Sequence, residues 1–143
     1  MSEVPAAPAL RLTGGCGCGA VRFEVSGRPT VALYCHCTRC QRRTGTATSC
    51  SARVSDEAFH VVQGQERLRA WRPEDGAEKW FCGDCGSALF SLQRGARTVI
   101  AVRMGAFDGD PGVRPSARQF VDDAASWEPI PDDGLPRHRG RMP

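Results

Sequence analysis

Lysine is nearly missing from this 143-residue chain: of 19 basic residues, only Lys79 is not an arginine. With alanine, glycine and proline abundant, that skew looks like a GC-rich coding bias. The arginine count therefore makes no case for phosphate or nucleic acid, and a net charge of +3 adds little. No apolar run reaches the roughly 18 residues of a membrane-spanning helix. The opening MSEVPAAPALRLTGG has neither a basic start nor an apolar stretch suited to a signal peptide, so a cytoplasmic protein is expected. Internal repeats of solenoid length are missing, and no window holds a 3.6-residue apolar period over three turns. Gly14-Gly15-Cys16-Gly17 leads into a strand rather than a helix, which excludes a phosphate-binding loop. His36, His60 and His138 are dispersed, and no Ser-His-Asp arrangement is visible. Acidic residues are absent between Glu24 and Asp56, where Arg28, Arg39, Arg42, Arg43 and Arg53 fall. That segment carries positive potential, either as a solvated surface or as a site for an anion.

What is present reads as short strands between turns. Val21, Phe23 and Val25 alternate with Arg22 and Glu24, the period of a half-buried strand. Further strands are expected at 46–54, 59–63, 67–71, 78–81, 88–92, 98–102 and 118–121, with one helical turn near 38–43. The expected organisation is a flexible lead-in over 1–12, one domain over 13–136 and a mobile tail over 137–143. Trp71, Trp80 and Trp127 are expected in packing, around the core or a metal site, with a ligand-pocket wall as the alternative for one of them.

Seven of the eight cysteines are clustered: Cys16-Gly17-Cys18, Cys35-His36-Cys37-Thr38-Arg39-Cys40 and Cys82-Gly83-Asp84-Cys85, with Cys50 alone. A reducing cytosol disfavours disulfides, and thiols separated by one or two residues can share a metal. Zinc takes four ligands at tetrahedral angles, with Zn–S near ~2.3 Å. Cys16 and Cys18 with Cys82 and Cys85 would form a closed structural site that ties the start of the chain to its middle. Cys35, Cys37 and Cys40 supply only three thiolates, the pattern of a zinc that keeps a position for chemistry. The alternative is closure by Cys50 or by His36. His36 points away from its neighbours in an extended segment, and Cys50 reads as a small buried strand residue. The open site is the favoured reading.

The run Gly14 to Phe23, the Cys35–Cys40 cluster with Gln41 and Arg42, and Phe81-Cys82-Gly83-Asp84-Cys85-Gly86-Ser87-Ala88-Leu89 resemble the glutathione-dependent formaldehyde-activating enzyme family, also called the centromere-protein-V/GFA domain. Val102-Arg103-Met104-Gly105-Ala106-Phe107-Asp108, Ser126-Trp127 and Asp133-Gly134-Leu135-Pro136 extend the resemblance over nearly the whole chain. It implies a mainly β, Mss4-like fold of several coiled antiparallel sheets organised around zinc. It implies a structural zinc on Cys16, Cys18, Cys82 and Cys85, and a second, activity-linked zinc on Cys35, Cys37 and Cys40. The implied reaction joins formaldehyde to the thiol of glutathione, which is carbon–sulfur lyase chemistry run in the forming direction. Family members vary just after Cys40, where this chain reads Gln41-Arg42-Arg43-Thr44.

A three-thiolate zinc suits such chemistry because metal coordination favours the deprotonated form of an entering thiol. Arg39, Arg42 or Arg43 could pair with the carboxylates of a peptide-like thiol, and their solvation at a rim is the plainer alternative. The expected partners are a small thiol and a carbonyl, or their adduct, and a homo-oligomer is compatible with this. One rival is a C–S lyase of specialised metabolism with a different thiol adduct. Another is a non-catalytic zinc module, although no aromatics interleave with the arginines as single-strand binding would need.

Overall fold

A computed structural model describes residues 10–143, so most of the expected lead-in, residues 1–9, lies outside the described residues. Ten strands and one α-helix follow in chain order. They are β1 (Arg11–Gly15), β2 (Arg22–Ser26), β3 (Ala32–Cys35), α1 (Thr38–Thr44), β4 (Ser49–Arg53), β5 (Phe59–Gln63), β6 (Leu68–Trp71), β7 (Glu78–Cys82), β8 (Ala88–Leu92), β9 (Val99–Arg103) and β10 (Pro115–Gln119). None of the described helices is long and apolar enough to cross a membrane.

The mainly β class matches the expectation, and the strands form two sheets. One has the order β1-β2-β5, the other β10-β3-β4-β9-β8-β7-β6. Strand pairing is antiparallel throughout the two sheets except where β10 runs parallel to β3. Two strands escaped the sequence pattern. β3 is an unbroken Ala-Leu-Tyr-Cys run without alternation, and β1 is short and glycine-ended. Leu12 of β1 pairs with Val25 of β2.

Between the sheets lies an aromatic core. Phe23 is 1% exposed and packs on Phe59 at 5.3 Å and on Phe107 at 5.8 Å between ring centroids. Phe59 reaches across to Phe90 of the larger sheet at 4.9 Å, and Phe90 stacks on Trp80 at 5.8 Å. A fully buried side chain of this size contributes about 1.5–3 kcal/mol through the water it sheds. Of the tryptophans, Trp80 packs in the core and Trp127 lines a surface groove. Trp71, 41% exposed, ends the edge strand β6, and Trp127, 64% exposed, sits in a late turn.

Residues 137–142 run beside β10 and occupy its outer edge. His138 N–H donates to the Arg118 carbonyl (2.8 Å), Phe120 N–H to Gly140 (2.9 Å) and Val121 N–H to His138 (3.1 Å). An edge strand's unpaired backbone groups are satisfied this way.

Candidate metal centres

Cys16 and Cys18 lie in the turn between β1 and β2, while Cys82 closes β7 and Cys85 lies in the turn to β8. The two turns are alike. Cys16 N–H bonds the Val21 carbonyl (3.1 Å) and Cys82 N–H the Ser87 carbonyl (3.0 Å), while Gly19 and Gly86 take φ near +80°, a conformation open to glycine at no steric cost. The four sulfurs lie within 4.8 Å of one another, with Cys16–Cys18 at 3.6 Å and Cys18–Cys82 at 3.9 Å. Those values bracket the ~3.8 Å edge of a tetrahedron with ~2.3 Å zinc–sulfur bonds. They are far beyond the ~2.05 Å of a disulfide. Val21 N–H donates to Cys16 Sγ (3.2 Å), and Cys85 Sγ contacts the Ser87 hydroxyl (3.2 Å), which helps pull the Cys85 thiol down to about 5. Hydrogen bonds of this kind stabilise thiolates, so the donor set fits a tetrahedral zinc.

The second group gathers at the end of β3. Cys35 closes that strand, Cys37 caps α1, and Cys40 follows in the first helical turn; their sulfurs also lie within 4.8 Å of one another. Cys37 Sγ accepts the Cys40 N–H at 3.3 Å, and Gly45 ends the helix in the left-handed conformation. Among the described residues no fourth Cys, His, Asp or Glu ligand atom joins these three. The register explains why. Cys35 pairs with Ser49 and Tyr34 with Cys50, so Cys50 faces the opposite side of the sheet. Burial raises its thiol to about 11, which keeps it protonated. His36 also faces that side, with Nε2 3.1 Å from Arg118 Nη1.

Crowding splits the three thiols. Contacts from Cys35 and Cys37 hold Cys40 down to about 2, while contacts with Cys37 and Cys40 push Cys35 well above the ordinary thiol range. One thiolate is solvated by two thiols, and ionising the others as well requires a cation between them. Three thiolate donors suit zinc.

Behind Cys35-His36-Cys37 stands a buried polar network absent from the sequence reading. Arg118, 6% exposed, bonds His36, chelates Asp133 through Nη2 (2.7 Å) and Nε (3.3 Å), and lies 4.3 Å over the Tyr34 ring. His36 N–H donates to the Gln119 carbonyl (3.0 Å), and Gln41 Nε2 to the carbonyls of His36 (2.8 Å) and Asp123 (2.9 Å). Strand β10 and the chain end therefore brace the cysteine segment from the rear. The one legible sign was an arginine inside a strand-like run.

The three arginines singled out from the sequence diverge. Arg39 pairs with Asp75 (2.8 Å) and covers the Trp71 ring at 5.3 Å. Arg43, one turn later on the same helical face, covers Phe81 at 5.4 Å, and burial lowers its pKa. Arg42 points elsewhere, lining a 230 Å³ groove with Gln41 and Trp127. Missed instead were Arg103 of β9 and Lys79 of β7, both half-buried in the larger sheet.

Several known proteins are similar to this chain. A protein from Halomonas elongata, provisionally named a glutathione-dependent formaldehyde-activating enzyme, is 36% identical over 87 residues, covering 57% of this chain and 55% of its own length. A protein of the same provisional name from Sordaria macrospora is 24% identical over 94 residues, covering 62% of this chain and 40% of its own. The chain thus spans about half the length of these curated relatives. The crystal structure of a Rhodobacter sphaeroides protein superimposes with a TM-score of 0.52 at 26% identity, over 68% of this chain and 88% of that one. The family model for the glutathione-dependent formaldehyde-activating enzyme matches residues 11–123. By that match, which takes in both cysteine centres, the chain belongs to the GFA family.

Proposed function

We propose that this protein is a zinc-dependent carbon–sulfur enzyme that forms or cleaves the adduct of a small carbonyl such as formaldehyde with a low-molecular-weight thiol such as glutathione. The observation that carries the reading is the contrast in ligand number: four sulfurs converge at one centre, three at the other. Zinc held by Cys35, Cys37 and Cys40 would supply a cation that favours a substrate thiol's deprotonated form.

The rest falls to the chain. A thiol sulfur donates its electron pair to the carbonyl carbon, the C=O π pair moves to oxygen, and the thiol's proton ends on that oxygen. Cleavage reverses the same movements, with no net oxidation. What the protein must provide is proximity and a fixed approach for two small reactants. Helix α1 and the ends of β3 and β4 form the wall beside the three sulfurs. The network around Arg118 fixes that wall, and Arg43 stands on α1 to meet a ligand's carboxylate, while Arg42 faces the separate groove beside Trp127. Arg39 is the least available of the three, since Asp75 already neutralises it.

The test is an exchange rate, because thiols add to formaldehyde unaided. NMR exchange among free formaldehyde, free thiol and adduct should be faster with the zinc-loaded protein than with an equal concentration of free zinc. Cys37→Ser should remove the gain. Acceleration with glutathione above other thiols supports the reading, and equal weak effects with every thiol point to another C–S substrate.

A further inference from the structure

Tracing the register across the larger sheet brings one face together. Cys35 pairs with Ser49, Ser51 with Arg103, Ala101 with Ser91, and Ser91 with Lys79. Directly opposed residues in antiparallel strands share a face, as do residues two apart. Cys35, Ser49, Ser51, Arg103, Ser91 and Lys79 therefore line the same side, the one that α1 partly covers. The side chains agree with the register: Arg103 Nη1 donates to Ser51 Oγ (2.9 Å) and Nη2 to Ser91 Oγ (3.0 Å).

One feature sets this floor apart: its half-buried cations lack counter-ions. Among the described residues, Arg103, Lys79 and Arg43 belong to no ion pair with a carboxylate, whereas Arg22, Arg39, Arg72 and Arg118 each have one. Half-buried cations are normally paired. Arg103 spends two of its five N–H donors on neutral hydroxyls, which aim the guanidinium without discharging it. The neighbouring thiolate centre does not balance the sum. Three thiolates around a divalent ion carry one net negative charge, against three positive side chains. Burial lowers the pKa of both Arg103 and Lys79, so an arriving anion would relieve an electrostatic cost already present in the fold.

We propose that Arg103 and Lys79, standing on the Ser51–Ser91 floor, form the subsite that binds a carboxylate of the substrate thiol. The assignment rests on the thiol reading above and narrows it: the substrate is an anionic thiol, held at its sulfur end by the cysteine centre and at its carboxylate by β7 and β9. Arg43 overhangs the same floor from α1.

Two measurements test the subsite separately from the chemistry. In the first, the zinc-loaded full chain is titrated calorimetrically with 3-mercaptopropionate and with its uncharged amide. Charge-assisted hydrogen bonds should favour the acid about tenfold or more. Arg103→Met and Lys79→Met should each bring that ratio toward one. The second exploits the sole lysine: lysine-selective ¹⁵N labelling makes Lys79 Nζ a single reporter. Propionate, which has no thiol, should shift it saturably, and propionamide should not. Should Arg103→Met fail to fold, the wild-type ratio and the Lys79 signal still decide. An acid-to-amide ratio of one, or a Lys79 signal indifferent to propionate, overturns the subsite. If neither thiol binds but propionate still shifts Lys79, the thiol reading fails while the anion site stands.

Discussion

The two cysteine centres are built from similar parts toward different ends. The four-sulfur centre joins two turns 64 residues apart, one on each sheet, and lies on the rim of the aromatic core. The three-sulfur centre draws all its ligands from six consecutive residues at one strand end and one helical turn. A metal on such a distant pair-of-pairs would cross-link the fold, and its loss is expected to open the structure. A local triplet cross-links almost nothing, so its geometry must be imposed from outside, here by Arg118, Gln41 and β10. Ligand separation in sequence thus distinguishes a centre that holds the chain from one that the chain holds.

The largest expected effect comes from breaking the first centre. Cys82→Ser or Cys16→Ser should abolish folding or leave an insoluble product, because metal binding and folding are coupled there. Circular dichroism and elemental analysis check this, and a folded variant retaining two zinc ions would erase the contrast. Cys37→Ser comes next. It should stay folded, lose one zinc equivalent and lose thiol exchange. Unfolding comparable to that of Cys82→Ser would show that both centres hold the chain.

Arg118→Met should be smaller and more selective. Removing the guanidinium leaves His36 and Asp133 without their partner, at a cost of about 1–3 kcal/mol in stability. Beyond that loss, a chelator competition should show weaker zinc at the second centre than at the first, with partial rescue by Arg118→Lys. Equal weakening at both centres would reduce the network to general packing. Cys50→Ala should do least: unchanged zinc content and a stability change of about 1 kcal/mol or less. Loss of a zinc equivalent there would make Cys50 a ligand and close the second centre.

Linear spacing was enough to read much of this. Cysteines separated by one or two residues constrain their own sulfurs, so the clusters, and the helical turn that Cys37 begins, were visible before any fold. Alternation did the same for β2, where Phe23 and Val25 face a core and Arg22 and Glu24 do not. It failed for β3, whose residues face packed layers on both sides and so show no period. What only the tertiary structure decided is register. A one-residue step in β4 turns Ser49 toward Cys35 and Cys50 away from it, and nothing in Thr48-Ser49-Cys50-Ser51 marks which is which. The same holds for Arg103 and Lys79, which lie 24 positions apart in sequence and become neighbours only through β8. Local chemistry is written in local spacing, but side-chain partnership across a sheet is set by hydrogen-bond pairing between strands, which no single segment encodes.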